Sequence, residues 1–216
     1  MIKIVVVDDH DLVRTGISRM LEDVSGLKVI GQAASGEEAL KLAREIEPDV
    51  ILMDVKMPGI GGLEATRKLQ RTNPDINVIA VTVCEEEPFP SKLLQAGASG
   101  YLTKGAALDE MVKAIRVVQS GQRYISPEIA QQLALKQFSG EAGGSPFDEL
   151  SERELQIAMM IVNCHKVPEI SDKLFLSPKT VNSYRYRVFE KLGIHSDVEL
   201  TLLAVRHGML DAESVV

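Results

Sequence analysis

Three carboxylates, a hydroxyl and an ammonium each follow a short run rich in β-branched residues. Asp8 and Asp9 close the run 3–7, Asp54 follows 49–53, Thr82 lies at the end of 77–83, and Lys104 follows 100–102. In an open parallel sheet such positions share one rim, beyond the carboxyl ends of the strands. Carboxylates crowded there repel one another unless a cation joins them. An all-oxygen set, without His or Cys, suits Mg²⁺, which keeps several waters and takes a phosphate oxygen. A carboxylate can also be a nucleophile that accepts a phosphoryl group as an acyl phosphate. Mg²⁺ and Lys104 would then neutralise the equatorial oxygens during in-line transfer. An Asp-Asp pair alone reads as a helix cap near the dipole; five such residues at strand ends read as a site.

The elements that must position this set alternate between two periods. Strand-like runs lie at 3–7, 28–33, 49–53, 77–83 and 100–102, with helical patterns at 11–24, 35–46, 61–70, 88–96 and 108–120 between them. Ser35 and Glu38 have capping-box spacing. Five strands alternating with five helices predict an α/β fold, a five-stranded parallel sheet covered on both faces. A further helix fits 126–137, and the Gly-rich stretch 139–146 reads as a flexible linker. Residues 1–122 therefore form one domain, 123–147 a connecting helix and linker, and 148–216 a second domain. After the linker the strand period disappears. Four helices are expected, from Ser151 to about Asn163, over 168–174, from Pro178 to Leu192, and from Ser196 to Gly208. Ser151 with Glu154 and Ser196 with Glu199 repeat the capping-box spacing.

The chain carries net charge −7, which argues against broad nucleic-acid affinity, but the average conceals a local reversal. Between residues 173 and 191 lie Lys173, Lys179, Arg185, Arg187 and Lys191 against Glu190 alone. A basic face of this kind serves as an electrostatic footprint. Val181, Val188 and Leu192 recur as an inward stripe, and Lys179, Asn182, Ser183, Arg185, Tyr186 and Arg187 are assigned elsewhere on the helix. With the short helix before it, this makes a helix-turn-helix. Asn182 can read adenine bidentately in the major groove. Aromatics at 4%, with no Trp, exclude a large aromatic ligand platform. Cys84 and Cys164, the two cysteines, are too far apart to suggest a zinc pattern or a disulfide framework. Cys164-His165-Lys166 reads as a helix-end turn rather than a metal or redox site. No apolar run is long enough to span a membrane, and the short apolar start is unlike a signal peptide; a cytoplasmic location is expected.

Asp8-Asp9, Asp54 with Met57-Pro58-Gly59, Thr82 and Gly100-Tyr101-Leu102-Thr103-Lys104 together resemble the flavodoxin-like receiver domain of two-component response regulators. That resemblance implies phosphoryl transfer from a sensor histidine kinase to Asp54. It also implies Mg²⁺ held by Asp9, Asp54 and the Lys56 backbone carbonyl, with Asp8 acting through water, and Thr82 and Tyr101 as switch residues. Val83 departs from the small residue usual there; a β-branched neighbour would restrict water and slow spontaneous dephosphorylation. Glu85-Glu86-Glu87 reads as a solvated acidic loop. Leu150-Ser151-Glu152-Arg153-Glu154, Ser177-Pro178-Lys179-Thr180-Val181 and Lys191-Leu192-Gly193 resemble the LuxR-type helix-turn-helix of NarL/FixJ regulators. That likeness implies base reading by Asn182, Ser183 and Tyr186, and phosphate contacts by Lys179, Thr180, Arg185, Arg187 and Lys191. Asp8 to Gly16, Val83 to Pro90 and Asn163 to Val167 are further similar to global regulators of this family, which implies a hybrid kinase as donor and small regulatory RNA genes as targets. The implied partners are double-stranded DNA, a second copy of the chain when phosphorylated or on DNA, and RNA polymerase, with no membrane. Two other readings compete with this non-enzymatic regulator: a Mg²⁺-dependent aspartyl-phosphate hydrolase or phosphotransferase, and a DNA-binding protein indifferent to phosphorylation.

Overall fold

A computed structural model describes residues 1–82, 89–138, 145–207 and 209 of the chain. Val83, Cys84, Glu85-Glu86-Glu87 and most of the expected linker lie outside the described residues, and with them the expectation attached to Val83. The chain divides into two compact units, one ending near residue 139 and one following it.

The first unit runs β1 (Ile2–Val7), α1 (Asp11–Glu22), β2 (Leu27–Ala33), α2 (Gly36–Ile46), β3 (Val50–Met53), α3 (Gly61–Thr72), β4 (Asn77–Thr82), α4 (Phe89–Gln95), β5 (Gly100–Thr103), α5 (Leu108–Gln119), β6 (Tyr124–Ile125) and α6 (Pro127–Phe138). All strand pairs are parallel, in the order β2-β1-β3-β4-β5-β6. Because side chains alternate across a strand, β1 sends Ile4 and Val6 to one face and Val5 and Val7 to the other. Ile4 and Val6 pack with Ile17 and Leu21 of α1 and Met111, Ile115 and Val118 of α5. Val5 and Val7 pack with Ala39 and Ala43 of α2 and Ala65 and Leu69 of α3. Burial on both faces explains why β3, Val-Ile-Leu-Met, is continuously apolar.

The expected five strands are present, and a sixth is added. β6 pairs Tyr124 with Gly100 and Ile125 with Tyr101, so the first unit does not close at residue 122 but continues through α6. Two residues are too few for a sequence period to register.

The second unit opens with a 3₁₀ turn, Pro146–Glu149, which buries Phe147. It continues through α7 (Glu152–Val162), α8 (Val167–Leu174), α9 (Pro178–Leu192) and α10 (Asp197–Arg206). Val181 and Val188 of α9 are buried, together with Leu155 and Ala158 of α7, Ile170 of α8 and Leu200 and Ala204 of α10. Ser151 and Glu154 form the full reciprocal cap of α7. The other two expected boxes are half formed: Ser35 and Ser196 accept from the Glu38 and Glu199 peptides, but those carboxylates accept from Ala34 and His195 instead. No helix among the described residues is long and apolar enough to cross a membrane.

Candidate functional site

The pocket assembles because β1, β3 and β5 end at one rim. Asp54 N–H donates to Val7 O at 2.8 Å, and Asp8 N–H donates to Ala33 O at 3.2 Å, so each carboxylate departs from the end of a paired strand. The first turn of α3 closes the floor. A Cβ on Gly62 would stand 1.9 Å from Asp54 O, so this approach of helix to strand end requires glycine.

Lys104 ties the rim together. Its Nζ lies 2.7 Å from Asp8 Oδ2 and donates to Asp54 Oδ2 at 3.0 Å. The Asp8 and Asp54 side chains are 3% and 2% exposed. Burial pushes the Asp54 carboxyl above its ordinary pKa, and the Lys104 ammonium offsets only part of that cost. Burial also disfavours the Lys104 charge, but the hydrogen bonds to Asp8 and Asp54 override it and raise its pKa. The ammonium therefore stays charged, and the buried Asp54 carboxylate is left short of positive partners. Asp54 Oδ1 accepts only a long 3.3 Å hydrogen bond from Lys56 N–H.

The donor set fits a hard divalent cation. Ligand atoms of Asp8, Asp9, His10 and Asp54 lie within 4.8 Å of one another. Asp9 Oδ1 is buried and accepts no hydrogen bond among the described residues. His10 Nδ1 approaches it to 3.0 Å without hydrogen-bond geometry, an ion pair only when the ring is protonated. His10 was not foreseen beside the all-oxygen set; its position after Asp9 was the available signal. Lys56 enters the pocket through its peptide N–H. Thr82 and Tyr101 are both fully buried, and Thr82 O accepts from Lys104 N–H at 2.9 Å. Tyr101 is thus already turned inward.

On the second unit, Ser177 caps α9 by accepting from Thr180 N–H at 3.1 Å, and Pro178 occupies the first turn. Phe175 turns the chain from α8 to α9 in the left-handed region at φ 52°. Lys179, Ser183, Tyr186 and Arg187 are exposed at helical spacing along one face, while Thr180 and Asn182 flank it, half-buried. Tyr186 is 66% exposed. This face can offer an ammonium, a guanidinium, hydroxyls and an amide to a groove.

Two cations expected on phosphates are held by acidic partners within the domain. Arg185 is a bidentate partner of Asp197, Nε–Oδ1 2.7 Å and Nη2–Oδ2 2.6 Å, with its guanidinium 5.4 Å from the Phe189 ring centroid. Position 185 is four residues after Val181 and three before Val188, so helical spacing puts it on the inward stripe rather than elsewhere. Lys191 donates to Glu154 Oε2 at 2.6 Å and to Glu149 O at 3.2 Å. Cys164 sits in the left-handed region just beyond α7, and His165 Nδ1 lies 3.4 Å from Glu169 Oε2, which keeps this tripeptide in a helix-end turn.

A strand-end carboxylate pocket and a separate helix-turn-helix define a signal-receiving regulator, and the comparisons agree. Residues 4–116 match the family described as Response regulator receiver domain, and residues 148–204 that described as Bacterial regulatory proteins, luxR family. The chain belongs to the response regulators with a luxR-family domain. It is 74% identical to Response regulator GacA of Pseudomonas aeruginosa over 214 residues, 99% of this chain and 100% of that one. It is 60% identical to Response regulator UvrY of Escherichia coli, over 100% of this chain and 99% of the relative. A LuxR-family response regulator from Aurantimonas sp. SI85-9A1 is 39% identical with a TM-score of 0.61, covering 63% of this chain and 98% of that one. RcsB from Salmonella typhimurium, 22% identical, shares the fold with a TM-score of 0.73, covering 95% of this chain and 97% of that one.

Proposed function

We infer that phosphoryl transfer from a sensor kinase phosphohistidine to Asp54 governs sequence-specific DNA binding through α9, and with it transcription. The observation that carries this reading is the buried Asp54 carboxylate, with Oδ2 on Lys104 and Oδ1 nearly unpaired, beside the orphaned Asp9 Oδ1. Asp54 Oδ1 attacks phosphorus as the N–P bond of the donor breaks and an O–P bond forms. Lys104 holds Oδ2 and meets the equatorial charge, and Thr82, at the end of β4, supplies a hydroxyl on the same rim. Asp9 and Asp54, together with Asp8 and, as the resemblance implies, the Lys56 carbonyl, would hold Mg²⁺, which when bound neutralises phosphoryl oxygens. The residue two after Asp54 is Lys56 rather than an acid–base carboxylate, which favours a phosphoacceptor over a turnover hydrolase.

The phosphoryl group on Asp54 carries about −1.5 to −2 in place of the carboxylate's single charge, and it favours whichever arrangement of Thr82 and Tyr101 it contacts better; we take that to be Tyr101 inward. DNA as partner is supported by the RcsB–DNA complex, 23% identical with a TM-score of 0.59 over 100% of this chain, and a second copy by the two RcsB dimers bound to two parallel DNAs. The likeness to the response regulators GacA and UvrY supports a sensor kinase as phosphodonor; we further propose that this kinase is a hybrid one, that the protein works in the cytoplasm, and that it acts with RNA polymerase at small regulatory RNA genes. Footprinting genomic DNA with and without a small phosphodonor tests this. Protection should strengthen with the donor in the parent and not in Asp54→Asn, and equal protection by both would overturn phosphorylation control.

A further inference from the structure

Neither family match covers residues 117–147, yet this stretch contains β6 and α6. β6 brings Ile125 opposite Tyr101, and Ser126 N–H donates to Tyr101 O at 3.1 Å. Ile129 of α6 is fully buried in one cluster with Tyr101, Leu93 and Ala98. It is the one buried side chain of α6 among the described residues; Pro127, Glu128, Ala130 and Gln131 are exposed. The anchor of this helix therefore packs in the same buried cluster as the Tyr101 ring.

The seat is weakly held. Ser126 Oγ is buried at the start of α6 and makes no hydrogen bond among the described residues. A buried unpaired hydroxyl opposes the arrangement that buries it, and it regains water whenever α6 lifts away. Among the described residues, one apolar anchor and an opposed hydroxyl hold α6, which places it at the low end of local stability, where the elements that move in switching are found. Were the Tyr101 ring to leave, Ile129 would face a cavity and lose the contacts that seat it.

We propose that Ile129 is the positioning residue that ties α6 to Tyr101. α6 is seated while Tyr101 is inward, and its seating passes the state of Asp54 into the chain leading to the luxR-family domain. The second half of this rests on the reading that a phosphoryl group at Asp54 favours the inward ring.

Hydrogen exchange of residues 127–138 in the full chain, with and without acetyl phosphate and Mg²⁺, provides the test. The phosphodonor should slow exchange there by about threefold or more. Tyr101→Ala and Ile129→Ala should each speed it by about tenfold without donor. Ile129→Ala should still be phosphorylated at the parent rate, yet lose most of the donor-induced gain in DNA affinity, and Ile129→Val should recover it. Unchanged α6 exchange in Tyr101→Ala, or a full donor response in Ile129→Ala, would overturn the proposal. A parent that accepts no phosphoryl group would defeat the functional reading instead, because the Tyr101→Ala arm needs no donor.

Discussion

Asp8, Asp54 and Lys104 reach one another from three strand ends, whereas Lys179, Ser183, Tyr186 and Arg187 follow one another along a single helix. Asp8 and Asp54 are buried and share one counter-charge, the half-buried Lys104 ammonium. The groups of the helix face are largely exposed, and the ion pairs Arg185–Asp197 and Lys191–Glu154 lie off that face. Topology makes a site that holds unfavourable charge in readiness for a cation or a phosphoryl group. A local sequence makes a face whose cations remain available to phosphates. The first region should therefore fail through stability and the second through salt-dependent binding.

Five substitutions sharpen or break this contrast. The largest effect belongs to Gly62→Ala, whose methyl cannot coexist with Asp54 O. A loss of about 3 kcal/mol is expected as α3 retreats, and receiver melting within a degree of the parent would contradict the role given to α3. Next comes Lys104→Met, which leaves Asp8 and Asp54 facing each other without a cation. We expect about 2 kcal/mol of destabilisation at neutral pH, given 16% exposure of the lysine, largely reversed by millimolar Mg²⁺. Failure of Mg²⁺ to rescue would separate the carboxylates from metal binding.

On the second region, Arg185→Met should cost about 1 kcal/mol of stability and leave the slope of log affinity against log salt unchanged. Lys179→Ala should do the reverse, melting like the parent while reducing that slope by about 0.9. Equal slope changes in both variants would put Arg185 on a phosphate after all. The smallest effect concerns Glu154. Burial raises its pKa, but the hydrogen bonds from Lys191 and Ser151 outweigh burial and hold it below the ordinary carboxylate value. The resulting stability is complete above the ordinary value and is lost as pH falls through the lowered one. It should be under about 1 kcal/mol, and denaturant midpoints between pH 7 and pH 3 should show it vanish in Lys191→Met.

The pocket was legible in the sequence because each member follows a β-branched run, and alternation of strand and helix brings such ends to one rim. Gly62 was not, because its role depends on how closely α3 approaches Asp54 O. Nor was the approach of His10 to Asp9, which depends on the turn between β1 and α1. β6 went unseen because two residues carry no period; pairing with Gly100 and Tyr101 creates it. Arg185 is a different case. Its spacing from Val181 and Val188 already marked the inward stripe, and its charge drew it to the wrong face. The helix caps were half legible: Ser35 and Ser196 cap their helices, but whether the glutamate three residues on reaches back to the capping residue depends on the preceding chain.

β6 also bears on how this protein can be cut. A receiver fragment ended at residue 122 would lack Tyr124 and Ile125, leaving the backbone of β5 at Gly100 and Tyr101 as an open margin of the sheet. Unpaired strand margins recruit other chains, and the fragment would also bare the apolar ground under Ile129. An excised receiver that stays monomeric should extend to about residue 138, and the shorter piece should self-associate for reasons unrelated to signalling.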